Sequence, residues 1–207
     1  MPLLGKTKKE VVSQFRCAEI LEAARDVFAS KGFENATVDD IAEQAGVAKG
    51  TLYLYYRSKR EMFVAALRQG FEELAAESEH RIARAATARD KVRAFVEARM
   101  DFSDRNRHFY RLYYTEYSNV LTSPVRVGKE FQDLYEAQAT LLERTLLQGM
   151  QSGEVRELNP GAAARLIYDM TRGAIAQRIL GWSRRPARED ADFVFDILWR
   201  GIGCDQN

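Results

Sequence analysis

The clearest chemistry in the sequence lies in a short basic segment, residues 49–60, which reads KGTLYLYYRSKR. Its charged residues are all cations, and Thr and Tyr hydroxyl groups lie between them. Cations and hydroxyl groups donate hydrogen bonds to phosphate oxygens, which is how proteins are positioned on a nucleic acid backbone. Lys49 and Thr51 come first and could also reach base edges in a major groove. For Tyr55 and Tyr56 the alternative is core packing, which we favour for Tyr56.

Two short helices joined by a tight turn are predicted to present this segment. Thr37 is a start signal for the first helix, because its side-chain oxygen can cap free backbone N–H groups. Gly46 ends that helix, where a left-handed backbone costs Gly little, and the second helix begins near Ala48 or Lys49. A helix-turn-helix needs a small residue at the crossing, a Gly in the turn and an apolar inner residue. Any helical hairpin can meet these demands, which here fall on Ala42, Gly46 and Leu52.

The segment resembles the N-terminal DNA-binding domain of the TetR family of bacterial transcriptional regulators. The resemblance covers roughly residues 16–63 and extends over the rest of the chain only in architecture, length and a few positions. The residues that carry it are Ile20, Leu21, Ala24, Phe28, Lys31-Gly32-Phe33, Thr37, Ile41-Ala42, Ala45-Gly46-Val47, Lys49-Gly50-Thr51-Leu52-Tyr53, Tyr55-Tyr56, Ser58-Lys59 and Phe63.

The resemblance implies a set of DNA contacts in this region. The positions that match DNA-contacting positions of the family are Thr37, Ala48, Lys49, Gly50, Thr51, Tyr53, Tyr55 and Lys59. Thr37, Lys59 and Tyr53 are expected to bind phosphate, whereas the start of the second helix, residues 49–51, faces the bases. Asp39 departs from the basic or polar residue sometimes found at its position, which puts a base contact from the first helix in doubt.

Composition bounds the remaining possibilities. The 207 residues are 46% apolar and 29% charged, as in ordinary soluble globular proteins. No apolar run approaches the roughly 18–20 residues of a membrane span, and the first ten residues lack the apolar core of a signal peptide. We therefore expect a cytoplasmic protein with no membrane partner. Cys17 and Cys204 are too few for a disulfide framework, and a net charge of +1 means that positive charge must be local.

The predicted fold is all-α, with about nine helices, because Pro is rare and no long alternating apolar pattern occurs. Residues 1–57 are interpreted as the DNA-binding domain, with the helix-turn-helix at about 37–56, and residues 58–207 as a helical-bundle ligand-binding and dimerisation domain. A capping-box pattern at Ser58–Glu61 opens the fourth helix, which both parts share. The first helix is predicted at about 13–30. The fourth to ninth helices are predicted, in order, at about 59–86, 89–103, 107–119, 124–151, 160–180 and 189–202. Ser123-Pro124 is the start signal of the seventh helix.

Motifs for catalysis are absent from the sequence. The segment around Gly46 and Gly50 lacks the order of a phosphate-binding loop, and no nucleophile elbow or dinucleotide fingerprint occurs. His80 and His108 are too few and too dispersed for a metal site. We therefore expect no enzyme, no catalytic residues, no metal and no cofactor apart from a small-molecule effector of unknown identity.

Five aromatic residues fall within positions 109–117. They either fill the core, which is the better interpretation for any single residue, or line an apolar pocket with polar anchors. The resemblance implies such a pocket among helices 4 to 8. The candidate ligand-binding residues are Phe95, Arg99, Phe102, Phe109, Tyr113, Tyr117, Tyr135 and Gln138.

The resemblance further implies a repressor that binds a palindromic double-stranded DNA operator as a homodimer joined through helices 8 and 9, and that an apolar effector releases. Interface candidates are Leu166, Met170, Gly173, Phe193, Ile197 and Leu198. Residues 149–180 and the Leu52–Tyr55 run resemble members that sense fatty acyl-coenzyme A. The alternatives are a regulator of drug efflux that senses lipophilic cations through Glu116 or Asp169, and a helical protein-interaction module whose DNA-binding motif is vestigial.

Overall fold

The computed structural model describes residues 8–122 and 128–204, and within them the side chains of residues 12–13, 15–115 and 133–204. Over these ranges the only regular secondary structure is helix, and one isolated antiparallel bridge joins Val155 and Gly203, so the predicted all-α class is confirmed. None of the described helices is long and apolar enough to cross a membrane. The helices are α1 Lys8–Asn35, α2 Val38–Gln44, α3 Lys49–Tyr55, α4 Lys59–Ala83, α5 Ala88–Arg105, α6 Arg107–Thr122, α7 Gly128–Gln151, α8 Pro160–Ile179 and α9 Ala187–Ile202.

The first three helices enclose a small apolar core. Ile41 of α2 and Leu52 of α3 are completely buried in it. Phe33 follows a break in α1 at Gly32, where φ is 73°, and its ring lies 4.9 Å from that of Phe63 in α4. Phe28 lies edge-on to the same ring at 5.1 Å. The first turns of α4 thus complete the core of the N-terminal helices. The predicted domain boundary between residues 57 and 58 stays a prediction.

Local capping explains why α2 begins where the sequence predicts. The Thr37 hydroxyl accepts a hydrogen bond from the Asp40 N–H at 3.1 Å, and the Asp40 carboxylate accepts from the Thr37 N–H at 2.9 Å. This reciprocal capping box satisfies two backbone donors at once. The Lys31 ammonium and the Thr37 donors hold the pKa of Asp40 at about 2. The carboxylate therefore stays charged, which suits the positive end of the helix dipole.

The cap of α4 differs in one detail from the predicted capping box. The Ser58 hydroxyl accepts from the Glu61 N–H at 3.1 Å, as expected. The Glu61 carboxylate, however, accepts from the N–H of Arg57 at 2.6 Å rather than from that of Ser58. The second carboxylate bond therefore reaches one residue further back along the chain. The two bonds still satisfy two backbone N–H groups at the start of the helix, those of Glu61 and Arg57.

Several predicted helix ends are wrong by a few residues. The first helix begins at Lys8 rather than at about residue 13. Its helical backbone breaks at Gly32, where the sequence predicts the stop, and a further short helical segment continues to Asn35. The fourth helix ends at Ala83 instead of about 86, because the Thr87 hydroxyl accepts from the Asp90 N–H and starts α5. The predicted start signal at Ser123-Pro124 lies outside the described residues.

A close contact joins α4 to the C-terminal helices. A Cβ atom built on Gly70 would lie 2.2 Å from the Phe109 ring of α6, so only glycine allows this approach. Phe71 meets Phe109 and Tyr113 of α6 edge-on, with both centroid distances at 5.4 Å. One end of α4 therefore belongs to the N-terminal core and the other to the bundle, as the sequence predicts for this shared helix.

A buried ion-pair network holds three helices of the bundle together. Arg178 of α8 donates to both carboxylate oxygens of Asp104 in α5, at 2.6 and 2.7 Å, and to Asp190 of α9 at 2.6 Å. Ser183 donates to the same Asp190 oxygen at 2.7 Å. Both Arg178 and Asp190 are buried. Removing one partner would strand the other charge away from water, which is costly.

We predict that Asp190→Ala lowers the free energy of unfolding by about 2–3 kcal/mol, because it leaves the buried Arg178 with one partner fewer. Urea unfolding followed by circular dichroism at a fixed protein concentration measures this loss. The matched control is Asp196→Ala on the same helix, whose exposed pair with Arg200 is worth about 0.5 kcal/mol or less. Equal losses in the two variants would show that the Arg178 network does not hold the bundle.

Candidate nucleic-acid interface

The two helices of the predicted helix-turn-helix form as expected and leave one face of α3 outward. Gly46 makes the turn between α2 and α3 with φ 64°, a left-handed conformation that favours glycine. Leu52 points inward and is completely buried, whereas Lys49, Gly50 and Tyr53 are exposed. The outward face therefore carries an ammonium group, a phenol and a bare stretch of backbone, which suits hydrogen bonding to a polyanion.

Lys49 has a partner on this face. Its ammonium group lies 2.8 Å from the Asp39 carboxylate of α2, and both side chains are largely exposed. The hydrogen bond that Lys49 donates to Asp39 raises the pKa of Lys49, so the lysine is charged at every physiological pH. Because exposed ion pairs contribute little stability, Lys49 can exchange this partner for an acceptor on DNA. Asp39 also places a negative charge at the interface, where it suits the amino group of cytosine better than phosphate.

Lys59 has a structural role that the sequence did not reveal. Its ammonium group donates to the carbonyl oxygens of Phe33 at 2.7 Å, Ala36 at 2.9 Å and Glu34 at 3.3 Å. An ammonium group has three donors, and all three are used here. Lys59 therefore ties the end of α1 to the start of α4. Its predicted phosphate contact would require it to give up one of these carbonyls.

The remaining predicted DNA contacts lie around the same face. Thr37 is exposed at the start of α2, and its hydroxyl keeps a donor after capping. Tyr53 projects from α3 into solvent, whereas Tyr55 and Tyr56 are half-buried and pack against the core. Burial raises the pKa of Tyr56 well above its usual value, consistent with the predicted packing role. The structure therefore leaves Thr37 and Tyr53 exposed and turns the other two tyrosines largely inward.

Leu54 is the residue that sequence reasoning missed. Its side chain is 82% exposed, the highest value among the large apolar side chains that the structure describes. The signal was available, because residues two apart lie on nearly opposite sides of a helix and Leu52 is the inward one. An exposed leucine on a helix that enters a major groove can contact the methyl group of thymine.

The predicted ligand-binding residues lie together in the bundle. Phe95, Arg99, Phe102, Phe109, Tyr113 and Gln138 are all buried there. Their rings pack edge-on, as in the 5.9 Å contact between Phe102 and Phe109. The half-buried Tyr135 donates to Asp169 at 2.8 Å, and Gln138 donates to the Phe71 carbonyl at 3.3 Å. The side chains of Tyr117 and Glu116 lie outside the described residues, so those two predictions rest on the sequence.

Two clefts of about 400 and 470 Å³ open on the surface, away from this cluster. The first lies between α1 and the junction of α5 with α6, and Phe109 is its only lining residue among the candidate ligand residues. The second lies beside the start of α4, around Tyr56 and Arg60. Both are lined mainly by polar and charged side chains. Neither cleft includes Arg99, and the role of the bundle core as a pocket stays a prediction.

Comparisons with known proteins agree with this geometry. A family model described as bacterial regulatory proteins, tetR family, matches residues 20–66. The fatty acid metabolism regulator protein of Bacillus subtilis is 26% identical over 194 residues, covering 89% of this chain and 94% of that protein. The solved structure of the fatty acid degradation regulator FadR from Bacillus halodurans has a TM-score of 0.81 at 20% identity, covering 89% of this chain and 98% of that one.

A second solved structure, of the transcriptional regulator FadR from Bacillus subtilis in complex with stearoyl-CoA, has a TM-score of 0.77 at 22% identity and covers 89% of this chain and 98% of that one. At this identity both structural matches bear on the fold. The family model falls on the helices that present Lys49 and Tyr53, and the curated relative matches through both parts of the chain. The chain is therefore a DNA-binding transcriptional regulator of the TetR family.

Proposed function

We propose that the protein is a repressor that binds a palindromic operator as a homodimer and is released by a long-chain fatty acyl compound, with fatty acyl-coenzyme A as the leading candidate. The observation that carries the DNA-binding part is the outward face of α3, with Lys49, Gly50 and Tyr53 exposed beside the start of α2. The likeness to a fatty acid metabolism regulator over most of the chain supports the effector class.

Exposed apolar residues on the last two helices support a dimer. Leu166 and Met170 are one turn apart on α8, and Phe193 and Ile197 are one turn apart on α9, all with exposed side chains. Contiguous apolar surface of this kind marks an interaction site. Gly173 has open space around it and would let a second helix approach. Leu198, which the sequence also suggested, is buried within its own protomer and belongs to the core instead.

A dimer would supply a second recognition helix, because the chain contains one helix-turn-helix. A helix-turn-helix dimer reads two half-sites when its recognition helices lie ~34–36 Å apart, one turn of DNA. Thr37 and Tyr53 would contact phosphate, whereas Lys49, Gly50 and Thr51 would face the bases. With a net charge of only +1, we expect few phosphate contacts and a modest dependence of affinity on salt.

Release would act through α4, because this helix packs on both parts of the protein. An effector that enters beside Phe109 would press on Gly70, since nothing separates that ring from the helix backbone. A shift of α4 would change the distance between the two copies of α3. To weaken operator binding ~100-fold, the effector must prefer the released state by about 2.7 kcal/mol.

The charges in the bundle favour an acyl effector over a lipophilic cation. Asp169, suggested as an acid for cation binding, is engaged with Tyr135 and lies 3.2 Å from Arg172. Its negative charge is therefore already compensated. Arg99 is a buried positive charge within the same bundle, and it would repel a cation through a medium of low dielectric constant.

The proposal predicts preferential binding to DNA upstream of the protein's own gene. At about 150 mM salt, the purified protein should prefer that DNA to a scrambled fragment by ~10³-fold or more, with two protomers per site. Oleoyl-CoA should release the complex, and a lipophilic cation such as rhodamine 6G should not. If a genome-wide selection enriched no fragment at all, the protein would be an interaction module rather than an operator-binding repressor.

Base and phosphate contacts should respond differently to substitution. Tyr53→Phe removes one hydrogen bond to a charged phosphate oxygen and should weaken binding to operator and random DNA alike, by about 10-fold or more. Lys49→Ala should weaken operator binding by about 10-fold or more and alter the preferred sequence. Titration of each variant against both DNA fragments measures the difference. Equal losses on the two fragments for Lys49→Ala would remove its base-reading role.

Leu54 should contact the C5-methyl group of a thymine in the operator. Replacing one operator thymine by deoxyuridine removes only that methyl group and should cost the wild-type protein about 3- to 4-fold in affinity, as for one buried methyl group. Leu54→Ala should bind the thymine operator more weakly and show no further loss with deoxyuridine at that position. The control is Leu147→Ala, an exposed leucine of α7. Identical deoxyuridine penalties in wild type and Leu54→Ala at every thymine would rule out this contact.

A further inference from the structure

A buried arginine lacks a carboxylate partner inside the bundle. Arg99 of α5 is 1% exposed, and no acid among the described side chains forms an ion pair with it. Its Nε and Nη1 atoms are buried without hydrogen-bond partners in this part of the chain. A guanidinium group stays protonated in proteins, so Arg99 carries a full charge, and two of its three nitrogen atoms donate to no group among the described residues.

Aromatic rings take the place of a counter-ion around this charge. The guanidinium carbon lies 3.9 Å from the centroid of the Tyr168 ring and 5.5 Å from that of Phe95. Such cation–π contacts recover part of the lost hydration energy. They do not satisfy the Nε and Nη1 donors, because a cation–π contact provides no acceptor lone pair for these N–H groups.

A second orphaned group accompanies Arg99. The Tyr110 hydroxyl is buried and also lacks a hydrogen-bond partner among the described residues. It is close enough to Arg99 for the two groups to interact electrostatically. Burial raises the pKa of Tyr110, so the hydroxyl keeps its proton and can donate it in a hydrogen bond. Two different side chains thus present unused donors in one apolar region.

Donors of this kind are rarely left unused. Buried polar groups in native proteins nearly always have partners, and an unpaired buried charge is costly. The chain shows the usual solution in Arg178, which two aspartates and a carbonyl oxygen satisfy. Arg99 therefore departs from the pattern set by the same protein. An oxygen atom with acceptor lone pairs, brought in by a ligand, would satisfy the unused donors.

The rings beside these donors suit an alkyl chain. Phe109 and Phe102 lie 5.2 and 6.3 Å from the Tyr110 ring, centroid to centroid, and all three side chains are buried. Phe109 in turn lies against Gly70 of α4. A ligand with its oxygen at Arg99 and its chain beside Phe109 would therefore bear directly on the helix that both parts of the protein share.

We propose that Arg99 and Tyr110 form the anchor for the acyl oxygen of a long-chain ligand, either the carboxylate of a free fatty acid or the thioester carbonyl of its coenzyme A derivative. This anchor rests on the proposed function, in that the bundle is the effector site. It selects ligands that carry an acceptor oxygen at the end of an alkyl chain, and it rejects cationic amphiphiles.

The test compares Arg99→Met with Arg93→Met by isothermal titration of oleate, oleoyl-CoA and hexadecyltrimethylammonium, each below its micelle concentration. Arg93 is the matched control, because it lies on the same helix but pairs with Asp192 at the surface. We expect Arg99→Met to weaken acyl binding by about 10- to 100-fold, as for a lost charge-assisted hydrogen bond, and Arg93→Met to change it by less than about 3-fold. Binding of oleate identifies the carboxylate as the source, and binding of oleoyl-CoA alone identifies the thioester.

Two further measurements keep the test decisive. Thermal unfolding should show Arg99→Met to be at least as stable as the wild type without ligand, because an unpaired buried charge has been removed. Tyr110→Phe, which deletes a single hydroxyl group, should weaken acyl binding by about 2- to 10-fold. Wild-type-like acyl binding in both variants would overturn the anchor and leave the proposed function standing. Failure of the wild type to bind either acyl compound, with tight binding of the cation, would overturn both.

Discussion

The contact between Phe109 and Gly70 determines how the two parts of the protein are joined. The Phe109 ring occupies the space that any Cβ atom on Gly70 would need, so the ring packs directly on the backbone of α4. At the other end of α4, Phe63 completes the N-terminal aromatic core and Lys59 binds three carbonyls at the end of α1. Because cores are closely packed and deform little, the proposed effector site beside Phe109 would be linked to the DNA-binding helices through one rigid element.

The DNA-binding face combines few cations with an acid. Lys59 donates to backbone carbonyls and Lys49 pairs with Asp39, so each would have to give up a partner to bind phosphate. Under the proposed function, binding therefore depends largely on short-range contacts from Tyr53, the bare backbone at Gly50 and the exposed Leu54. Weak nonspecific attraction with good local complementarity favours discrimination between sequences over affinity for any DNA.

The two buried arginines of the bundle, Arg99 and Arg178, have different surroundings. Arg178 is surrounded by acceptors and fastens α8 to α5 and α9. Arg99 is surrounded by tyrosine and phenylalanine rings, a less favourable environment for a charge. A protein that needed only stability would gain by placing an apolar residue there. The cost of retaining Arg99 is the physical reason to look for a ligand at this point.

Much of the fold follows from local signals in the sequence. Thr37, Ser58 and Thr87 cap helices through bonds to residues three positions away, and Gly46 makes its turn through its own backbone freedom, so each acts within a few residues. Helical periodicity alone also shows that Leu54 lies opposite Leu52. The roles of Lys59 and Arg99 arise differently. Lys59 binds carbonyls more than twenty residues earlier in the chain, and the surroundings of Arg99 depend on the aromatic side chains that α6 and α8 bring near it. Only the tertiary structure decides these, because hydrogen-bond partners and burial are set by packing between distant segments.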